Sequence, residues 1–400
     1  MKDFLTVKKG VIVDGKNKPV RLRGVNFGGW LMMEAYFMHA PNLPEFQFKA
    51  EFAKALGGKT LADFEKQFRG HYIQENDFKQ VASWGMNVIR VPFNCRLIED
   101  KPFHYDLKGV RYLDNVLDWA KKYNLKVILD LHAAPGAQNH DWHSDSDGRA
   151  RLWQNKTFQR RTYAIWEFLA DRYKDREEVA GYDLLNEAVL ADAGLLNRFY
   201  KQIIKTIRSV DINHILFVEG NRWAQDVECL DIFDDNNYAL SIHSYEPLAF
   251  TFNFVPHLKY PLKNGKSKWD RSTTRKLLAG YARLSKQRKL PIYVGEFGVN
   301  YRGGLYNEHL WLKDTLSLFN EFNFHWTYWT YKAVKNSHFP DGILSYYENP
   351  PWVRREGPVS GWSNFKAQWP VKKNEMVSSW ETSAFKQNSH VLKELIYAAH

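Results

Sequence analysis

Beyond residue 20, short apolar runs alternate with longer stretches whose apolar positions recur every three or four residues. The short runs predict buried strands and the longer ones amphipathic helices. Eight strand signals stand out: Arg21–Asn26, Met86–Val91, Lys126–Leu131, Tyr182–Leu185, Ile215–Val218, Tyr238–His243, the run from Pro291 that ends in Glu296, and Phe324–Trp329. Helix signals fall between them at Tyr72–Trp84, Val110–Tyr123, Thr157–Tyr173, Leu195–Val210, Ser272–Gln287 and Asn307–Asn320, with a short helical piece near Trp223–Phe233 and a last helix at Ser389–Ala399. Two more amphipathic stretches, Phe46–Leu56 and Leu61–Phe68, flank Gly57-Gly58. Such alternation predicts an α/β fold, a (β/α)8 TIM barrel whose loops at the strand carboxyl ends hold the site. A doubly wound open sheet would bring a glycine-rich phosphate turn after an early strand, and none stands in that context.

The whole chain, residues 1–400, reads as one domain with extended loops. At its start, within about residues 5–20, Val11–Gly15 and Lys16–Val20 predict a hairpin about the Asp14-Gly15 turn, placed to plug the bottom of a barrel. At its end, about residues 336–380 read as a long loop after strand eight. Phe339–Trp369 is too aromatic for a free linker and is expected to wall the site.

Candidate chemistry sits where the strands stop. Gly181-Tyr-Asp-Leu-Leu-Asn-Glu-Ala188 is an apolar run ending in Asn186 and Glu187, and Pro291-Ile-Tyr-Val-Gly-Glu296 repeats the pattern. The other strand ends supply Asn26, Arg90, His132, His243 with Tyr245, and Trp329. Each alone has a structural explanation: a salt-bridged glutamate, a core arginine, hydrogen-bonded core imidazoles, a packed indole. A structural barrel has no reason to collect them at one rim. Cleaving a glycosidic bond with retention needs one carboxylate to attack the anomeric carbon and one carboxyl to protonate the leaving oxygen, roughly 5 to 5.5 Å apart. Glu296 fits the nucleophile, kept ionised by Arg90 and the Tyr245 hydroxyl, and Glu187 the acid, its proton retained by a dry setting and its neighbour's charge. Asn186 is placed to hold a sugar 2-hydroxyl and Trp329 to floor the subsite. On this reading Arg90 serves catalysis more than folding.

Composition changes the picture in three places. With 44% hydrophobic residues the chain has ample core, and its 15 Trp exceed what a core needs, which predicts indoles lining a sugar groove. The net charge of +11 would admit nucleic acid, but Lys and Arg are scattered as on a solvated surface, so no nucleic-acid partner is expected. Cys95 and Cys229 lack metal-ligand spacing and read as packed thiols. No stretch reaches the length of a membrane span and the amino terminus lacks a signal-peptide core. The chain as written therefore reads as cytoplasmic, or as secreted or periplasmic if a leader has been removed, and as a monomer.

The motifs Arg23-Gly-Val-Asn26, Gly28-Gly-Trp30, Asn87-Val-Ile-Arg-Val-Pro92, Asp130-Leu-His-Ala-Ala-Pro-Gly136, Leu185-Asn-Glu187, His243-Ser-Tyr245, Gly295-Glu-Phe-Gly298 and Tyr328-Trp329 resemble those of glycoside hydrolase family 5, over about residues 10–335. Gly28–Glu34 and His132–Asn139 look most like the exo-β-1,3-glucanase branch. The resemblance implies catalytic glutamates at strands four and seven, no cofactor and no metal, and Glu34, His132 and Asn139 as sugar contacts in the innermost subsite. It implies a β-linked oligo- or polysaccharide substrate, β-glucans or gluco-oligosaccharides first, with mannan, xyloglucan or a glycoconjugate as alternatives. Ala188 departs from the proline many members carry after the acid. Two rivals of other classes stay open: a metal-dependent hydrolase recruiting Asp130, His132, His140, Asp141, His143 and His243, and a non-catalytic carbohydrate-binding barrel.

Overall fold

A computed structural model describes residues 3–38, 43–264, 267–345 and 362–399. Eight parallel strands close into a barrel: β1 (Arg23–Asn26), β2 (Val88–Asn94), β3 (Lys126–Ala133), β4 (Val179–Asp183), β5 (Ile215–Glu219), β6 (Tyr238–His243), β7 (Ile292–Glu296) and β8 (His325–Tyr328). Each strand pairs with its neighbours in sequence, and β8 returns to β1. All eight predicted strands are present, Tyr238–His243 unchanged and the others with boundaries moved by at most three residues. Gly181 shows how close the strands approach, since a Cβ there would stand 2.1 Å from the Ile215 carbonyl oxygen.

Around the barrel, Leu107–Lys122, Lys156–Tyr173, Ala193–Arg208 and Arg271–Arg288 each start behind an Asp or Asn whose side chain accepts an amide hydrogen of the first turn. The predicted helix Tyr72–Trp84 is instead the end of one helix, Gly58–Tyr72, and the whole of another, Glu75–Ser83. Gln74 and Asp77 form a reciprocal capping box that restarts the chain after an extended Ile73. The expected helical piece near Trp223–Phe233 shrinks to one distorted turn, Asn221–Ala224, with Arg222 and Trp223 in left-handed conformations.

Thr6–Lys8 pairs with Val11–Val13, so the amino-terminal hairpin turns at Lys9-Gly10, one strand earlier than the Asp14-Gly15 turn implied. Asp14 does make a turn, its carboxylate accepting from the Lys16 and Lys18 amides, and across it the Asp14 amide donates to the Lys18 carbonyl, the Val20 amide to the Ile12 carbonyl, and Val13 forms an isolated bridge to Pro19 in place of a second regular strand. The hairpin seals the barrel bottom: Leu5, Val7 and Ile12 join Val88, Ile128, Ile215, Phe217 and Tyr293 in one buried apolar cluster.

The region read as a long loop, 336–380, differs most from expectation. Residues 346–361 lie outside the described residues, while Trp362–Trp380 is a helix. Phe365, Trp369, Met376 and Trp380 recur at helical spacing and are buried. Trp369 and Trp380 pack on Phe64 at ring separations of 5.1 and 5.4 Å, on the outer helices rather than over the site. The Lys332 ammonium, buried between the Tyr72 and Phe385 rings, donates to the Trp380 carbonyl and the Thr382 hydroxyl and ties this helix to β8. The tryptophan surplus is likewise mostly structural: Trp30, Trp166, Trp311, Trp326 and Trp380 are fully buried. Aromatic periodicity, not sugar recognition, accounts for them.

Candidate active site

Parallel register brings the strand ends to one level. Asn26 stands opposite Arg90, Asp130 opposite Asp183, and His243 opposite Glu296. Arg90, fully buried, is the hub: its Nη1 donates to Glu296 Oε1 at 2.7 Å and to Asn26 Oδ1 at 3.1 Å, its Nε to Asp183 Oδ2 at 2.9 Å, and its Nη2 to Asn186 Oδ1 at 2.8 Å and Glu219 Oε1 at 3.1 Å. Asp130 Oδ2 lies 3.1 Å from the same Nη2. One guanidinium thus faces four buried carboxyl groups, and burial with mutual repulsion keeps protons on some of them. Burial pushes Asp130 up to about 8 against the pull of Arg90. Burial and the Glu219 charge raise Asp183 well above the carboxylate range.

Glu296 ends β7, and its second oxygen accepts from the Tyr245 hydroxyl at 2.8 Å. Glu187 lies four residues beyond β4 in a left-handed conformation (φ 49°), its amide donating to Glu219 Oε2 at 2.6 Å. Its Oε1 is 2.7 Å from His243 Nδ1 and its Oε2 2.9 Å from His143 Nε2. An oxygen of Glu187 and one of Glu296 lie within 4.8 Å of each other.

The proton balance at Glu187 departs from the sequence expectation. Burial does push its carboxyl up, but hydrogen bonds from His143 and His243 outweigh this and hold it well below the usual range. His243 is held well above the ordinary imidazole value: burial works against its charge, and Glu296, Glu219 and Glu187 overcome it. His143 is raised in the same way, with Glu187 overcoming burial. Proton affinity in this cluster is thus lowered at Glu187 and raised at the two imidazoles beside it.

The pocket above these groups encloses about 390 Å3, with Glu34, Tyr36, His132, Glu187, Tyr245, Glu296 and Trp329 at its deep end. His132 Nδ1 lies 2.7 Å from Asp130 Oδ2, and its ring stacks on Trp329 at 5.6 Å. Burial pushes His132 down to about 3, so it is neutral. Trp329 Nε1 donates to the Tyr36 hydroxyl. Glu34 Oε1 finds no hydrogen-bond partner among the described residues, and burial plus the charges of Glu296 and Glu187 raise its carboxyl well above the usual range.

Of the residues singled out from sequence, Glu34, His132, Glu187, Tyr245, Glu296 and Trp329 line this pocket. Arg90, Asn186 and His243 lie beneath it and contact Glu296 or Glu187 or their partners. Asn139, expected as a sugar contact, is fully buried with both ends of its amide engaged: Nδ2 donates to the Glu187 carbonyl at 2.9 Å and Oδ1 accepts from the Asp141 amide at 2.9 Å. It holds the main chain of Glu187 in place. Two neighbours, Glu219 and Tyr36, escaped the sequence reading, and His143 entered it only as a candidate metal ligand. Glu219 ends an apolar strand as Glu296 does, a signal lost by stopping β5 at Val218. Tyr36 and His143 sit in single 3-10 turns too short to show a periodicity.

Among the described residues two side-chain clusters have ligand atoms close enough to share a cation, Glu187–His243–Glu296 and Asp130–Asp183–Glu219. In both, oxygens already accept from Arg90, Tyr245 or an imidazole, so a cation would compete with bonds the protein itself supplies. Among the described residues no helix is long and apolar enough to cross a membrane.

Comparisons with known proteins identify relatives along most of the chain. The β-xylosidase of Phanerodontia chrysosporium is 34% identical over 346 residues, covering 83% of this chain and 71% of that protein. Glucan 1,3-beta-glucosidase 2 of Wickerhamomyces anomalus is 26% identical over 390 residues, 85% of this chain and 89% of the relative. The crystal structure of an endoglucanase from the hyperthermophilic Thermotoga maritima superposes with a TM-score of 0.63 at 20% identity, covering 94% of this chain and 96% of that one, which speaks for the fold. The family described as Cellulase (glycosyl hydrolase family 5) matches residues 50–335. With a match over most of its length and a relative at this identity, the chain belongs to glycosyl hydrolase family 5 and is a glycoside hydrolase of the TIM-barrel type.

Proposed function

We propose that Glu296 and Glu187 carry out a double displacement that removes a β-linked glucosyl unit from the end of a gluco-oligosaccharide or from a small glucoside. The observation that carries this reading is the pair of carboxylates with oxygens within 4.8 Å, near the roughly 5 to 5.5 Å of retaining enzymes and short of the roughly 6.5 to 9.5 Å that leaves room for water in inverting ones. Glu296, fixed by Arg90 and Tyr245, attacks the anomeric carbon as the glycosidic bond breaks. Glu187 passes a proton to the leaving oxygen, then takes one from the water that displaces Glu296. His143 and His243 keep that proton beside Glu187 until the leaving oxygen arrives. Asn186 Nδ2, with no partner among the described residues, is the donor for the sugar 2-hydroxyl.

A pocket walled by Trp142, Phe252 and Phe339 supports cutting at a chain end over internal cuts, and relatives named glucosidase support glucose. A β-xyloside is the second reading, favoured by the name of the 34% identical relative. Mannan, xyloglucan and glycoconjugates are further alternatives on the same mechanism. We also propose that the enzyme acts as a monomer without a nucleic-acid partner, since much of its positive charge is spent in pairs such as Arg172–Asp114, Arg208–Asp235 and Arg275–Glu321.

The test is a panel of β-1,3, β-1,4 and β-1,6 glucans, xylan, mannan and aryl glycosides, with products followed by length and anomer. Release of single β-configured sugars from chain ends is expected. A first-formed α anomer refutes retention, early long fragments refute the pocket reading, and hydrolysis of xylosides or mannosides alone refutes glucose. The rate should fall as the Glu187–His143–His243 unit loses its proton. Because both imidazoles are held above their ordinary 6.5, that limb should lie above pH 6.5.

A further inference from the structure

The pocket changes character between its floor and its mouth. At the floor, Glu34, His132, Glu187, Tyr245 and Glu296 offer hydrogen-bonding groups on several sides, as a sugar ring requires. The outer half is walled by Trp142, Trp223, Leu248, Phe252, Phe254 and Phe339. Among the described residues the other polar side chains in the lining are Asp141, His143 and Gln225; His143 Nε2 is already on Glu187 Oε2 at 2.9 Å, and Asp141 Oδ2 accepts from Trp223 Nε1 at 2.8 Å.

This wall stands on the leaving-group side. The leaving oxygen must meet Glu187, and two of the indoles are attached to its surroundings. The Trp223 amide donates to the carbonyl of Ala188, the residue after Glu187, at 3.4 Å. Trp142 precedes His143, which holds Glu187 Oε2. From Trp142 the apolar surface is continuous, because the Phe339 ring lies 6.0 Å from Trp142, 5.5 Å from Phe252 and 5.9 Å from Phe254. At the rim Trp223 is 42% and Phe254 50% exposed. Large apolar side chains left in water around one opening mark a surface that binds something apolar.

We propose that this outer half is a slot for an apolar aglycone, so that the group released is an alkyl, aryl or other hydrocarbon-rich alcohol in preference to a second sugar. The proposal rests on the retaining β-glycosidase reading above and assigns the other half of its substrate. A pyranose in the slot would place one face on a ring, but its several hydroxyls would exchange water for little more than the Gln225 amide and the second oxygen of Asp141, and a hydroxyl buried without a partner is costly. A hydrocarbon loses nothing there and gains with each methylene removed from water.

The experiment compares kcat/KM for methyl, propyl and hexyl β-glucosides, below micellar concentrations, with laminaribiose and cellobiose, repeating the alkyl series as β-xylosides. Simple alcohols leave with similar acidity, so the trend along the series reads the slot and not the chemistry. Specificity should rise roughly 2- to 4-fold per methylene, with the hexyl glycoside exceeding both disaccharides. Trp223→Ser and Phe254→Ser alter exposed side chains, so folding should survive, as a melting curve will check. Each should lower the hexyl-to-methyl ratio about fivefold or more. A flat alkyl series, disaccharides cleaved better than the hexyl glycoside, or a steep series unchanged in both variants would overturn the slot while leaving the glycosidase intact. Failure to cleave any glycoside, activated aryl ones included, would instead overturn the glycosidase reading beneath it.

Discussion

At the amino-terminal end of the barrel Val7, Ile12, Val88, Ile128, Ile215 and Phe217 close the interior with side chains that need no partners. At the carboxyl end Arg90, Asp130, Asp183, Glu219 and Glu296 fill the same cross-section with groups that each need several. At this second end Glu34 Oε1, Asp130 Oδ1, Asp183 Oδ1 and Asn186 Nδ2 are buried without a hydrogen-bond partner among the described residues. Burying such groups is unfavourable unless every bond is made, so this end gains little stability from its charges and a great deal of fixed geometry. The contrast assigns stability to one end and chemistry to the other, and substitutions can break it.

The largest effect should come from Glu296→Ala, which removes the attacking group. We expect a fall in turnover of roughly 10^4-fold or more, partly restored by azide as the α-glycosyl azide. Glu187→Ala should cost about 10^2- to 10^4-fold on natural leaving groups and much less on activated aryl glycosides. If the two variants lose the same factor on both kinds of substrate, the assigned roles are wrong.

Arg90→Met is the substitution that breaks the division itself. The sequence alone makes Arg90 a catalytic residue first, but with four buried carboxyl groups around it its loss strands uncompensated charge. A destabilisation of about 3–5 kcal/mol is expected along with lost activity, read by denaturant unfolding. A variant of unchanged stability would show that the charged end tolerates disorder after all.

At the other end Ile12→Ala, in a fully buried position, should cost about 2–4 kcal/mol while kcat/KM of the folded enzyme stays at the wild-type value. A loss of kcat/KM in folded protein would couple the two ends.

The smallest effect sharpens the contrast most. Because the Glu34 carboxyl is held well above its ordinary 4.5, the folded chain binds that proton where the unfolded chain releases it. Stability present below pH 4.5 is therefore lost as pH rises toward the raised value. Glu34→Gln should remove that loss, raising stability at neutral pH by on the order of 1 kcal/mol and lowering kcat/KM. Melting temperatures of the two proteins from pH 4 to 8 check it: the gap should widen with pH, and a constant gap would mean that Glu34 stays charged.

Much of this was legible because it is local. A strand ending in a polar residue reveals itself within eight positions, so Glu187, Glu296, Arg90, His132 and Trp329 were found, and alternating strands and helices announced the barrel. The hairpin turn, the Asn139 role and the helix at Trp362–Trp380 were misread because each depends on what the segment packs against. The aromatic stripe of that helix carries the same composition whether it meets a sugar or Phe64.

What the sequence by itself determined is the order of the strands, the residues at their ends and so the kind of chemistry, since a period of two or of 3.6 is written into the chain. Only the tertiary structure decided the protonation of that chemistry. His143 approaches Glu187 from the turn Trp142–Ser144 and His243 from the end of β6, Arg90 faces carboxyl groups from four strands, and the energy of a charge depends on every group within a few ångströms, however far away in sequence.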